Sequence, residues 1–217
     1  MQKEPYFTTA TLDAQSSAML EAVEEHRRRH ADLRPMLERA ALLVLDVQNY
    51  FFRADSHAFI PAAPAILPGI RQLIAVFAAH HRPIIFTRHS NPSTDAGMMA
   101  IWWKDLIRAD SPDSEIVAGL DVATGRVIQK TQYDAFYKTP LEEILHADGV
   151  RQVIICRVMT HLCCETTARS AFMRGFEVFF TVDGTASYTE SFHRAALLNL
   201  SHGFAVPVLV EEVLVAL

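Results

Sequence analysis

From residue 41 onward, continuous apolar runs of strand length alternate with stretches of helical periodicity. "ALLVLDV" (41–47) is followed by the helical pattern "AILPGIRQLIAVFAAHH", and "PIIFTRH" (83–89) by an irregular region containing "MMAIWWKDLI". "RVIQK" (126–130) leads to "TPLEEILHADG", "VRQVIICRVM" (150–159) to "CCETTARSAFMRG", "FEVFFTVDG" (176–184) to "TESFHRAALLNLSHG", and "AVPVLV" (205–210) closes the series. Gly149, Gly175 and Gly203 stand where helix C-caps belong. Strands that are apolar throughout, separated by helices, predict a parallel sheet covered on both faces. The class is α/β. Ahead of it, "TLDAQSSAMLEAVEEHRRRHADLRPML" predicts one amphipathic helix opened by Thr11 or Asp13 and broken near Pro35. The chain therefore divides into an N-terminal helical extension (1–38) and an α/β domain (39–217).

Composition narrows the function classes. With 217 residues, half of them hydrophobic, the chain has enough material for one large core. A net charge of -5, from 20 Lys and Arg against 25 Asp and Glu, gives no nucleic-acid footprint. The basic run "HRRRH" (26–30) follows "EAVEE" and predicts a solvated helix face. The opening "MQKEPYFTTA" lacks signal-peptide character and no apolar run has the length of a membrane span, so a cytoplasmic, membrane-free protein is expected. Three cysteines, an odd number, do not suggest a disulfide framework.

Topology then directs attention to the carboxyl ends of the strands, where open parallel sheets bind their ligands. Asp46 ends "ALLVLD", Lys130 ends "RVIQK", and Cys163 follows "VIICRVM" at the start of a helix. Taken singly, each has a structural explanation: a turn cap, a surface lysine, a small buried hydrophobe. Taken together they supply an acid, a base and a thiol. A thiol attacks a carbonyl as thiolate, which a helix N-terminus and a nearby ammonium favour. A carboxylate within reach can take the thiol proton and pass it to a leaving amine, and backbone N–H groups in the turn from Met159 to Cys163 can receive the oxyanion.

At these residues the sequence resembles the isochorismatase-like, or cysteine hydrolase, superfamily, which includes nicotinamidases, N-carbamoylsarcosine amidases, ureidoacrylate amidases and isochorismatases. The resemblance rests on "LLVLDVQNYF", "VIQKTQYDAFYKTPLEEIL" and "VMTHLCCETTARSAFMRGFEVFFTVDGTAS", in that order, and runs from about residue 40 to the end. It implies a catalytic triad of Asp46, Lys130 and Cys163, with Cys163 as nucleophile and Cys164 as packing. It implies a non-proline cis peptide between Val158 and Met159, with an oxyanion hole formed by the N–H groups of Met159 and Cys163. It also implies a three-layer, Rossmann-like fold with a six-stranded, mostly parallel sheet flanked by helices, and a homo-oligomer, dimer or tetramer.

Two departures stand out. Where the family usually has glycine, this chain has Arg157, which either strains a tight backbone or brings a guanidinium near the pocket or a subunit contact. The metal-binding Asp-x-His of the nicotinamidase branch is missing from "FTRHSNPSTD", so no metal and no other cofactor is expected. Phe51, Trp103, Tyr133 and Phe136 are candidate walls of an apolar slot, His89 and His161 (with Arg88) candidate contacts to polar groups of a small-molecule substrate, and Trp102–Trp103 a candidate lid or subunit contact. Two enzymes fit. One is an amidase that cleaves a small amide, carbamoyl or ureido C–N bond through a thioester. The other is an isochorismatase proper, in which the aspartic acid protonates a vinyl ether and the cysteine is dispensable. A catalytically idle binding module is a third reading, to which an intact triad is opposed.

Overall fold

The computed structural model describes residues 2–92, 94–103 and 105–216. Two helices, α1 (Leu12–Glu21) and α2 (Glu24–Arg28), precede the first strand. There follow β1 (Ala40–Leu45), α3 (Asn49–Phe52), α4 (Ala63–Ala79), β2 (Ile84–His89), α5 (Met98–Trp102), β3 (Arg126–Lys130), α6 (Leu141–Ala147) and β4 (Gln152–Val158). A π-helical turn at Thr160–Cys164 runs directly into α7 (Glu165–Met173), and β5 (Glu177–Ala186), α8 (Glu190–Gly203), β6 (Val206–Val208) and α9 (Val210–Ala216) complete the chain.

All six strands pair in parallel, in the order β3-β2-β1-β4-β5-β6. Every residue of β1 and of β4 is buried, which is why these strands carry no hydrophobic-polar alternation. α4 and α9 pack on each other, with α4 against β1, β2 and β5; α7 and α8 pack together, α7 on β5 and α8 on β6. The strand order reverses between β1 and β4, so the crevice beyond their carboxyl ends is the topological switch point of the sheet. Registers place Leu45 beside both Thr87 and Arg157, so the residue that follows β1 emerges between the ends of β2 and β4.

The N-terminal region differs from the single helix expected. It breaks at Ala22–Val23, where Val23 (φ -114°, ψ 9°) turns inward to join Met19 and Leu20 in the core. The charged run beyond it lies on the surface as α2, whose arginines pair with Glu24, Glu25 and Glu212. Gly149 and Gly175 end their helices at φ 69° and 84°, the left-handed geometry that favours glycine, whereas Gly203 is the last residue of α8 and Phe204 (φ -142°, ψ -28°) takes the C-cap position.

The first residues of the chain reach across to the crevice. The Tyr6 hydroxyl accepts from the Ser187 N–H (2.8 Å) and lies 2.8 Å from His193 Nδ1. Glu4 N–H donates to the Tyr188 carbonyl (2.8 Å), and Lys3 Nζ donates to the Phe59 carbonyl (2.8 Å). Among the described residues, no helix is long and apolar enough to cross a membrane.

Candidate active site

Asp46 leaves β1 in the left-handed region (φ 44°), a conformation that costs a non-glycine residue of order 1–3 kcal/mol and concentrates at functional sites. Its backbone N–H donates to the Thr87 hydroxyl (3.0 Å), and the same hydroxyl donates to Asp46 Oδ1 (2.5 Å). The other carboxylate oxygen, Oδ2, lies between two cations, Lys130 Nζ at 2.8 Å and Arg157 Nη2 at 2.5 Å. All three side chains are buried. Burial alone would raise the Asp46 carboxyl, but the Arg157 and Lys130 charges outweigh it and hold the group down at about 2. Lys130 falls to about 8, lowered first by burial, with Asp46 opposing and Arg157 adding.

Lys130 also donates to the carbonyls of Gln132 (2.8 Å) and Tyr133 (3.3 Å), and it faces His89 Nδ1 at 3.4 Å. An ammonium can only donate, so His89 Nδ1 accepts and Nε2 carries the proton that Asn91 Oδ1 receives at 3.0 Å. Burial and the Lys130 charge lower His89 to about 4, which keeps it neutral. Gln48 fixes this strand end, accepting from the His89 N–H (2.8 Å) and donating to the carbonyls of His89 (2.9 Å) and Ser114 (2.8 Å).

On the other side of the crevice, β4 ends in a cis peptide between Val158 and Met159, and the π-helical turn follows. Leu162 N–H and Cys164 N–H donate back to the Met159 carbonyl (3.2 and 3.4 Å), while the Met159 N–H donates to no protein group among the described residues. Cys163 lines a cavity of 190 Å³ together with His89, Arg157 and Met159. Its neighbour Cys164 is fully buried, its thiol pushed up to about 12 by burial against the pull of Arg157. The two adjacent thiols therefore occupy different environments, one on the cavity wall and one in the core.

The aromatic walls are Tyr50, Phe51, Trp103, Tyr133 and Tyr188, and Trp103 Nε1–H donates to the Tyr133 hydroxyl (2.5 Å). Of the expected contacts, Phe51, His89, Trp103, Tyr133 and Met159 line the cavity. Phe136 and His161 do not. Phe136 stacks with Phe176 beneath the Arg174 guanidinium, and His161 lies flat on Phe192 with Nδ1 2.6 Å from the Ser187 hydroxyl. Both side chains are taken up by packing, Phe136 against Phe176 and Arg174 and His161 against Phe192 and Ser187. Arg88 is likewise spent on structure, donating to the carbonyls of Ala109 and Ser114 at 2.8 Å each. Tyr50, Asn91 and Tyr188 were not anticipated; Asn91, a small polar residue just past a strand end, carried the nearest thing to a sequence signal.

The residues do not fit a metal. Both ring nitrogens of His89 are engaged, by Lys130 and Asn91, and His57 Nδ1 pairs with Asp105 at 3.4 Å on the exposed rim. Among the described residues, no three His, Cys, Asp or Glu side chains come together as a metal site.

Comparison with known proteins places this geometry in context. The profile of the isochorismatase domain matches residues 40–212. Nicotinamidase 3 of Arabidopsis thaliana is 43% identical over 176 residues, covering 79% of this chain and 85% of that protein. Enterobactin synthase component B of Escherichia coli (strain K12) is 30% identical over 184 residues, covering 82% of this chain and 64% of that protein. Among solved structures, a cysteine hydrolase from Pseudomonas syringae pv. phaseolicola superimposes with a TM-score of 0.78 at 22% identity, covering 85% of this chain and 97% of that one. The pyrazinamidase of Pyrococcus horikoshii in complex with zinc gives a TM-score of 0.71 at 26% identity, with coverages of 79% and 99%.

Proposed function

The chain belongs to the isochorismatase family of hydrolases, and on that footing we propose that it cleaves the C–N bond of a small amide, carbamoyl or ureido compound through a thioester on Cys163. The observation that carries this reading is the placement of Cys163 on the wall of an aromatic cavity that Arg157 also lines, with the buried Asp46–Lys130–Arg157 cluster behind it. Two cations against one carboxylate leave an excess positive charge, which favours the thiolate over the thiol.

In the acylation step, the Cys163 Sγ forms a bond to the substrate carbonyl carbon and the C=O π pair moves onto oxygen. The Met159 and Cys163 N–H groups receive that oxyanion. Collapse of the intermediate breaks the C–N bond, and the proton released by the thiol, held in transit by Asp46, goes to the departing nitrogen. Water then adds to the thioester, the C–S bond breaks, and the thiol is restored with release of the acid. Trp103, Tyr133 and Phe51 hold the acyl portion by stacking and exclude bulk water.

Vinyl-ether hydrolysis asks the reverse of Asp46, since it needs a proton on the carboxyl at the outset. A carboxyl held near 2 between two cations is ionised at neutral pH before substrate arrives, whereas the amidase brings its proton with the Cys163 thiol, and this difference favours the amidase. The deciding experiment is Cys163→Ala. Turnover should fall at least about a thousandfold with the fold intact by circular dichroism, and a brief substrate pulse on the wild type should trap an acyl adduct on the Cys163 peptide. An alanine variant that keeps full activity on isochorismate would transfer the protein to vinyl-ether chemistry.

A further inference from the structure

Arg157 stands where an uncharged backbone position would have served, and its guanidinium is not used up by the fold. Nη2 reaches Asp46 at 2.5 Å, but Nε and Nη1 have no hydrogen-bond partner among the described residues, and the side chain is 1% exposed. Buried guanidinium N–H groups left unpaired are costly, so two in one side chain call for an acceptor supplied from outside the protein. The same residue lines the 190 Å³ cavity with Cys163, and its Cζ lies 6.0 Å from the centre of the Phe51 ring, which lines the cavity too.

Charge points the same way. Lys130 and Arg157 both lean on the single carboxylate of Asp46, and the neighbouring His89 is neutral. While Cys163 is a thiol, the buried cluster is thus one negative charge short, a deficit that either its thiolate or the carboxylate of a ligand can fill. Nε–H and Nη1–H leave the guanidinium on opposite sides, so each offers one charge-assisted hydrogen bond, which a single oxygen of a carboxylate can accept.

We propose that Arg157 is a specificity-determining residue that binds a carboxylate on the substrate, so that the preferred substrates are small amides or ureides carrying a carboxylate close to the scissile carbonyl. This rests on the amidase reading above and narrows its substrate class. Nicotinamide-like neutral amides then become the poorer substrates of this chain, despite its similarity to a nicotinamidase.

The test uses matched pairs, malonamate and N-carbamoylglycine each against its methyl ester, with the wild type, Arg157→Gln and Arg157→Lys. The wild type should favour the acid over the ester by about ten- to hundredfold in kcat/KM, the scale of a hydrogen bond to a charged group. Arg157→Gln should bring that ratio close to one, chiefly through KM of the acid, and Arg157→Lys should restore part of it. If Arg157 serves to hold Asp46 and nothing more, acid and ester will fall together and the ratio will persist, which overturns the proposal. A second measurement needs no turnover and no variant: malonate should slow alkylation of wild-type Cys163 by iodoacetamide, and malonamide at equal concentration should not. Equal protection, or none from malonate, also overturns it. Failure of the amidase reading looks different, since Cys163→Ala would then stay active while the acid-to-ester ratio could still depend on Arg157.

Discussion

Replacing Asp46 by Asn removes one charge and almost no volume, and the cluster around it sets how much that costs. The amide still accepts from Thr87, but Lys130 and Arg157 lose the group that both of them face, at 2.8 and 2.5 Å. Breaking a buried ion pair from one side costs about 3–5 kcal/mol. Lys130 provides an escape, because it can fold as the neutral amine. In the wild type it falls from 10.5 to about 8, which amounts to about 3 kcal/mol of lost stability at pH 7. In the variant the carboxylate no longer supports the ammonium, the amine is neutral in the folded state, and the same bookkeeping gives about 5 kcal/mol at pH 7. The lysine thus adds about 1–2 kcal/mol to the penalty at pH 7.

Sign and window follow from the same values. A lysine with a lowered folded value makes the unfolded chain bind more protons between about 8 and 10.5, so stability rises with pH across that interval in both proteins. At pH 10 the amine is neutral in either folded state, and the lysine's share of the difference vanishes. Urea unfolding followed by circular dichroism, with reductant present, should therefore show Asp46→Asn destabilised by about 3–5 kcal/mol at pH 7 and by about 1–2 kcal/mol less than that at pH 10. A penalty below about 1 kcal/mol, or one that is the same at both pH values, would refute the charge imbalance on which this reasoning depends.

Two further outcomes follow from the same cluster. Lys130→Ala should slow iodoacetamide alkylation of Cys163 at neutral pH and shift its pH profile upward, because one of the two cations facing Asp46 is gone; an unchanged profile would show that the lysine does not influence the thiol. Exhaustive chelation should leave turnover unchanged, since His89 is committed to Lys130 and Asn91, and activity lost on chelation and restored by zinc would contradict this.

Much of the candidate site was legible because a parallel sheet converts strand ends into a common edge. Asp46, Lys130 and Cys163 sit at or just beyond the ends of β1, β3 and β4, and apolar runs mark those ends clearly. His161 and Phe136 were harder, because proximity in sequence to a matched motif says nothing about which way a side chain leaves a π-turn or a loop. The break at Val23 was hidden for a similar reason: helical periodicity continues through it, and the turn is made by tertiary burial of one residue. The position of Arg157 was visible as an oddity, but its direction was not. That depended on the pairing of Leu45 with Arg157 across two strands more than a hundred residues apart.

The residues that precede the matched domain are also part of the cavity's masonry. Tyr6 props Ser187 and His193, Glu4 holds the carbonyl of Tyr188, and Tyr188 is one of the cavity's aromatic walls. The candidate cavity is consequently assembled from two parts: the matched domain, and an outer segment, lying before residue 40, that braces one wall from behind. Changes to that brace can alter the shape of the cavity while Asp46, Lys130 and Cys163 stay where they are. A graft of the matched domain without the first ten residues would keep Asp46, Lys130 and Cys163 and lose the brace behind Tyr188.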